Sequence, residues 1–277
     1  MSAWPTCLKT MTWTGRFCNV YQTISGTCPQ RGTSTVSIPI PQPETMTFPD
    51  GFLLSVIVPV YNEERTIAEI LARVRAVPVP KEIIVVDDYS TDGTRTLLET
   101  EAQHADTRVH LHAENQGKGG AVRSGLADVR GTVVLIQDAD LEYDPRDYIA
   151  LLRPILEGRA KAVYGSRFLG EHKAMYFWHS LGNKFLTLVT NVLFDTTLTD
   201  METCYKVFTS DISHSLVIKQ MRWGIDPEIT AKILRSGHRI YEVPISYNGR
   251  EFWEGKKISW KDAFVVLRTL FRYRFFR

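Results

Sequence analysis

The stretch Val133-Val134-Leu135-Ile136-Gln137-Asp138-Ala139-Asp140-Leu141-Glu142 carries the residues best suited to chemistry. It begins as an apolar run rich in branched side chains, the pattern of a strand buried on both faces. It ends in Asp138 and Asp140, two carboxylates one residue apart. On an extended chain, side chains at i and i+2 point the same way. Two like charges held that close repel, so a cation is expected between them. A hard divalent ion, Mg²⁺ or Mn²⁺, takes oxygen ligands and keeps waters and substrate phosphates in its shell. Carboxylates at the C-terminal end of a central strand of an open α/β sheet lie where ligands bind. The plainer alternative is a strand that ends in a solvated acidic turn.

The elements that must position this pair read as an alternation of β and α. Leu54–Val60 reads as a buried strand, and Asn62 as the N-cap of a helix from about Glu63 to Val74 with Ile67, Ile70, Leu71 and Val74 on one face. A second strand over Glu82–Val86 ends in Asp87-Asp88, and Thr91-Asp92-Gly93-Thr94 opens another helix. Strand Arg108–Leu111 leads into Asn115-Gln116-Gly117-Lys118-Gly119-Gly120 and a helix to about Val129. A helix near Asp147–Glu157 and a strand over Ala160–Tyr164 follow the Asp138–Asp140 strand. The pattern predicts an α/β fold, a Rossmann-like mostly parallel sheet with helices on both faces. In such a sheet the polar ends of the strands share one edge. Carboxylates for a metal, glycines for close backbone approach, and Lys118 and Arg167 for anions together describe a nucleotide-diphosphate site. Gly117-Lys118-Gly119 is not a Walker A loop, because the spacing of its glycines is wrong and no Ser or Thr follows the Lys.

The whole chain narrows the function classes. Its 277 residues suit one domain with appendages. Thirty-three basic against 31 acidic residues give no argument for a nucleic-acid partner. No run reaches the roughly 18–20 apolar residues of a membrane span. Four cysteines, three of them in the first thirty residues, show no disulfide or metal spacing, which points to a reducing cytosol. Residues 1–50 are rich in Thr, Ser, Pro, Cys and Gly and read as a disordered leader without signal-peptide character. Met46 is an alternative start. Residues 51–250 read as the catalytic domain and 251–277 as a C-terminal amphipathic segment.

The order PVYNEE, VVDDYSTDGT, NQGKGGAVRSGL, QDADLEY and YGSRF resembles glycosyltransferase family 2, with its nucleotide-sugar-binding GT-A fold. The later segments LTDMETCYKVF, GIDPEITAKILRSGHRIYEVPISYNGR and EGKKISWKDA resemble its polyprenyl-phosphate branch, the dolichol-phosphate mannosyltransferases and their glucosyl relatives. The resemblance covers the chain from about Leu53 onward. It implies that Pro59, Tyr61, Glu63 and one of Asp87 or Asp88 hold the base and ribose, with Lys118 near the diphosphate. Asp138 would orient the donor and stand with Asp140 and Glu142 about the metal. Arg167, Lys173, Lys206 and Arg250 would supply cations for the phosphates. Asp200 would position the acceptor, or serve as base for a hydroxyl acceptor; the local alternative is a helix cap. Thr203-Cys204-Tyr205-Lys206 stands where the family often has Ser-Gly-Phe-Arg, which keeps the charge and loses the bidentate geometry of Arg.

The implied reaction moves mannose or glucose, from GDP-mannose or UDP-glucose, to a polyprenyl phosphate with inversion. A hydroxyl acceptor, or a catalytically idle nucleotide-sugar-binding subunit, are the alternatives. A lipid acceptor requires a membrane surface. Residues 175–179 and 185–194 form an apolar helix in this reading, and Trp260–Arg277 interleaves Phe264, Leu267, Leu270, Phe271 and Phe275 with Arg268, Arg272 and Arg274. That composition suits a helix lying in the lipid interface, or a terminal helix docked on the sheet. The expected location is cytoplasmic, peripheral on the inner face of the membrane.

Overall fold

Strand β1, Leu54–Val60, has every residue but Pro59 buried, as its unbroken apolar run requires. It pairs in parallel with β2 (Lys81–Asp87) on one side and β4 (Val133–Ile136) on the other. β3 (Thr107–Leu111) extends the parallel set beyond β2. Past β4 the sheet changes. β6 (Lys206–Thr209) runs antiparallel to both β4 and β5 (Ala162–Ser166), and β7 (Ile240–Pro244) returns parallel to β5. The order is β3-β2-β1-β4-β6-β5-β7, a seven-stranded, mostly parallel sheet. This computed structural model describes residues 46–250 and 262–276. The leader expected over 1–50 lies outside the described residues up to residue 45, as do residues 251–261. Residues from Met46 onward belong to one compact unit.

The helices pack on this sheet through the periodic faces that the chain predicts. α1 (Ile67–Ala76) buries Ile67, Ile70, Leu71 and Val74. Its start differs from expectation: Asn62 is not an N-cap. It takes a left-handed conformation (φ 54°), its Oδ1 accepts from Thr91 N at 2.8 Å, and the helix begins only at Ile67. Asn tolerates this backbone better than most residues. α2 spans Thr94–Glu101 and α3 spans Lys118–Ala127. α3 lies close on β1 because Gly125 has no side chain; a Cβ there would stand 2.5 Å from Ile57. α4 (Tyr148–Leu156) lies against β5, β6 and β7.

The remaining long helices form a cluster of their own. α5 (Phe177–Phe194), α7 (Ile225–Arg235) and α8 (Asp262–Phe275) contact one another, with a short α6 (Ser210–Ser215) between β6 and α7. Leu186, Met201, Val266 and Leu270 form a small apolar core in this cluster. The C-terminal helix is therefore docked along one face while Phe264, Phe271 and Phe275 stay exposed on another. Replacing Leu270, wholly buried, by Ala removes the centre of this core. Equilibrium urea unfolding of Leu270→Ala is expected to show a loss of about 2–4 kcal/mol. A loss below about 0.5 kcal/mol would mean that α8 is not held in this way.

Candidate active site

The C-terminal ends of β1, β2, β4 and β5 open onto one cleft of about 920 Å³. Pro59 lines it from the end of β1, Tyr61 and Glu63 from beyond β1, Asp88 from beyond β2, and Lys118 from the start of α3. Asp138, Asp140 and Glu142 line it from beyond β4, Arg167 from beyond β5, and Lys173 and Arg250 from later loops. β4 ends at Ile136, so Asp138 and Asp140 converge through a turn and not, as the extended-chain argument assumed, along a strand. Leu141 takes a left-handed conformation (φ 61°), and Glu142 N donates to Asp140 Oδ1 at 3.1 Å. A leucine held at positive φ is strained, and such strain clusters at functional sites.

Neighbouring carboxyls in this turn sit in opposite electrostatic settings. Asp138 accepts from Lys118 Nζ at 2.7 Å. Burial works to raise its carboxyl, and the Lys118 charge and hydrogen bond outweigh burial and hold it below the usual range. Asp140 has no such partner. Burial, then the charges of Asp138 and Glu142, push it up to about 8 against the opposing pull of Arg250. Glu142 accepts from Tyr247 OH at 2.8 Å and from Arg250 N at 2.7 Å. Among the described residues no three His, Cys, Asp or Glu side chains form a ready metal cage. The donor chemistry still fits Mg²⁺ or Mn²⁺, which bind through one or two carboxylates plus substrate phosphates. Asp140 is the carboxyl of this turn whose charge is least compensated.

Arg167, Arg250 and Lys206 are each held by a carboxylate from another element. Arg167 forks onto Asp200 (Nε–Oδ2 2.7 Å, Nη2–Oδ1 2.8 Å) with its guanidinium 5.3 Å from the Tyr247 ring. Arg250 forks onto Glu63 at 3.1 and 2.7 Å and donates from Nε to Asp140 O at 3.0 Å. Lys206 is wholly buried on Asp226 at 2.6 Å. Asp200 and Lys206, expected to touch substrate, do not line the cleft; they hold Arg167 and Asp226, which do. Of the Asp87-Asp88 pair, Asp88 lines the cleft while Asp87 is buried against Arg95 at 2.7 Å. Asp88 accepts from Gln116 N and Gly117 N at 2.7 Å each and faces His112 Nδ1 at 2.9 Å.

The glycine turn lines the cleft with Gly117 and Lys118 and also packs against the chain itself. Its close backbone neighbour is the protein's own loop 216–224. A Cβ on Gly117 would stand 2.4 Å from Met221 O, and one on Gly119 2.0 Å from Gln220 O. Gly120 N donates to Met221 O at 3.2 Å. This contact brings Arg222 and Trp223 into the cleft wall. Neither was singled out from sequence, since nothing local marks that loop as part of a site. The same holds for Glu202 and Asp226, which also line the cleft. Burial, then the Asp226 charge, push the Glu202 carboxyl up to about 8. Apolar side chains line the cleft as well: Met175 and Tyr176 just before α5, Trp178 and Leu186 on α5 beside His179 and Asn183, and Ala263 and Val266 on α8.

An α/β sheet of this order, with carboxylates and cations gathered at the strand ends, is the GT-A architecture of nucleotide-sugar enzymes. The model for Glycosyl transferase family 2 matches residues 55–216, and the chain belongs to that family. It is 32% identical over 212 residues to the undecaprenyl-phosphate mannosyltransferase of Micrococcus luteus, covering 72% of this chain and 85% of that one. It is 30% identical over 243 residues to the dolichyl-phosphate β-glucosyltransferase ALG5D of Trichomonas vaginalis, covering 80% and 74%. Glycosyltransferase AglJ of Haloferax volcanii is 28% identical over 230 residues, with 82% and 73% covered. The crystal structure of Mycobacterium tuberculosis glucosyl-3-phosphoglycerate synthase superposes with a TM-score of 0.65 at 19% identity, over 82% of each chain. That likeness concerns the fold.

Two outcomes follow from this geometry. Gly119→Ala must displace the backbone of loop 216–224, so it should cost about 1–3 kcal/mol in urea unfolding and lower activity as well; an unchanged protein would contradict the contact. The second concerns pH. A carboxyl raised above its ordinary value of 3.8 stabilises the fold only while protonated, so its contribution is full below about pH 4 and is lost as the pH rises to about 8. In metal-free buffer, Asp140→Asn should match the native chain near pH 4 and exceed its stability by about 1–2 kcal/mol at pH 8.5, water at the cleft limiting the effect. Parallel stability curves for the two proteins would contradict it.

Proposed function

We propose that the protein is an inverting glycosyltransferase that moves mannose or glucose from a nucleotide sugar to a polyprenyl phosphate at a membrane surface. The observation that carries this reading is that one cleft is lined both by charged groups from the sheet edge and by apolar side chains of α5 and α8, Trp178, Leu186, Ala263 and Val266. A nucleoside diphosphate suits the first and a prenyl chain the second. The relatives named for undecaprenyl-phosphate and dolichyl-phosphate transfer support the acceptor class.

Asp200 is not placed to serve as base for a hydroxyl acceptor. A hydroxyl needs a general base within reach, and the carboxylate proposed for that role is spent on Arg167 behind the cleft wall. A phosphate monoester oxygen is already largely anionic at neutral pH, with a second pKa near 6. It would attack the anomeric carbon directly as the bond to the leaving diphosphate breaks on the opposite side. Arg167, Arg250, Lys173 and Arg222 would hold the phosphates, and Lys118 would stand by the diphosphate. Asp88, Tyr61 and Pro59 would take the base and ribose. Mg²⁺ or Mn²⁺, held by Asp140 with Asp138 and Glu142 close by, would neutralise the charge that develops on the leaving group. A similarly folded glucosyl-3-phosphoglycerate synthase was crystallised with Mn²⁺ and UDP.

The membrane contact would be made by α5 and α8. Phe177, Trp178, Leu181, Phe185, Leu188 and Val192 form an exposed stripe on α5, with Phe177 at 69%, Trp178 at 77% and Val192 at 76% exposure. Eighteen residues make this stripe about 27 Å long. Phe264, Phe271 and Phe275 on α8 add to the exposed apolar surface, with Arg268, Arg272 and Arg274 exposed among them. This is the composition of a helix lying in an anionic lipid interface. Among the described residues no helix is long and apolar enough to cross a membrane. The protein would thus sit peripherally on the inner, cytoplasmic face.

The test is transfer of radiolabelled sugar from GDP-mannose, and separately UDP-glucose, into a butanol-extractable lipid, using short polyprenyl phosphate with and without Mn²⁺. One donor should give a metal-dependent lipid product, and Asp140→Ala should lower its rate roughly a hundredfold or more. Donor hydrolysis without lipid product would move the acceptor to a hydroxyl. For the membrane surface, Leu188→Asp with Val192→Asp should reduce co-sedimentation with anionic vesicles roughly tenfold or more while leaving donor hydrolysis intact. Unchanged co-sedimentation would remove α5 from the interface.

A further inference from the structure

Glu202 lines the cleft with an oxygen that is buried and unpaired. It sits in the loop between α5 and β6, and that loop is pinned at several backbone atoms. Thr199 N and Asp200 N donate to the Glu242 carboxylate at 2.8–3.1 Å, Met201 N to Thr187 Oγ1 at 3.1 Å, and Cys204 N to Tyr143 OH at 3.0 Å. The backbone of Glu202 is thereby fixed before any substrate arrives. Its side chain is not: among the described residues neither carboxyl oxygen has a hydrogen-bond partner, and Oε1 is also sealed from water. Buried polar groups are nearly always satisfied, so an orphan in a cleft wall requires an explanation.

The nearby cations cannot supply the missing partner. Lys206 is committed to Asp226, and Arg167 to both oxygens of Asp200. What remains is the ligand. A nucleoside diphosphate and a lipid phosphate are both anions, and a carboxyl beside Asp226 and Asp200 is a poor host for either. The hexose is the neutral part of the donor, and it carries hydroxyls. A carboxyl largely protonated at neutral pH can both accept from and donate to a hydroxyl.

We infer that Glu202 binds the hydroxyls of the donor hexose and sets which hexose the cleft accepts. This inference rests on the nucleotide-sugar half of the proposed function and not on the polyprenyl acceptor. Sites built to hydrogen-bond a substrate hydroxyl reject analogues that lack or misplace it far more strongly than apolar contacts do. Glu202 is thus the residue to distinguish sugars that share one nucleotide.

Calorimetric binding to the full chain in Mn²⁺ buffer tests this without any acceptor. The probes are GDP-mannose against GDP, and UDP-glucose and UDP-galactose against UDP. Glu202→Ala should weaken the preferred nucleotide sugar roughly ten- to a hundredfold, leave the matching nucleoside diphosphate within about twofold, and narrow the preference between sugars. Glu202→Gln, which keeps the shape and can still donate and accept, should recover part of the loss and covers the case in which the Ala variant fails to fold. Equal weakening of nucleotide sugar and nucleoside diphosphate would reduce Glu202 to a structural residue and overturn the inference, as would no change in either. A native chain that binds none of the probes would overturn both this inference and the donor reading. Failure of the polyprenyl acceptor would show only in the lipid-transfer assay.

Discussion

The structure depends on keeping several carboxylates together at one edge of a sheet. Parallel strands deliver their following loops to the same side, and here those loops carry Glu63, Asp88, Asp138, Asp140 and Glu142. Uncompensated, that much buried negative charge would oppose folding. The fold answers it with cations drawn from elsewhere in the chain: Lys118 on Asp138, Arg250 on Glu63, Arg167 on Asp200 and Lys206 on Asp226. Such pairs add little net stability relative to an apolar core, yet removing one partner is costly because a buried charge is left alone. They also fix geometry. Arg167 and Arg250 are held by forked contacts, which position the guanidinium planes toward the cleft before any phosphate binds. Asp140 and Glu202 have no ion-pair partner of their own, and burial with neighbouring negative charge raises both carboxyls to about 8.

A second constraint ties the helical cluster to the cleft. Glu228 on α7 is wholly buried and accepts from Lys219 N at 2.9 Å, Gln220 N at 2.6 Å and Tyr273 OH of α8 at 2.5 Å. Those two backbone amides open the loop that rests on the glycine turn. One carboxylate therefore joins the exposed C-terminal helix, the loop of Arg222 and Trp223, and the turn that holds Lys118. The exposed face of α8 and the wall of the cleft are thereby parts of one packed unit.

Much of this protein was legible in its sequence, for local reasons. The apolar runs of β1, β2 and β4 and the 3.6-residue face of α1 follow from short-range periodicity, which burial on a sheet enforces. The order of the motifs placed the acidic and basic residues at strand ends, and a parallel sheet brings strand ends together whatever the details of packing. Asp138, Asp140, Glu142, Lys118, Arg167 and Arg250 line the cleft for that reason. Only tertiary structure decided the rest. Arg250 and Glu63 are 187 residues apart, so no local pattern could pair them. β6 is four residues long, begins with a buried lysine and runs against its neighbours, which leaves no periodic signal to read. Asp200 and Lys206 carried the right chemistry, but their partners turned them away from the cleft. The glycines of the Lys118 turn also admit a distant loop of the chain, a contact that nothing local announces. Sequence determined which chemical groups reach the sheet edge, because strand direction alone places them there; the fold decided which of those groups remain available to a substrate, because that depends on partners contributed from distant parts of the chain.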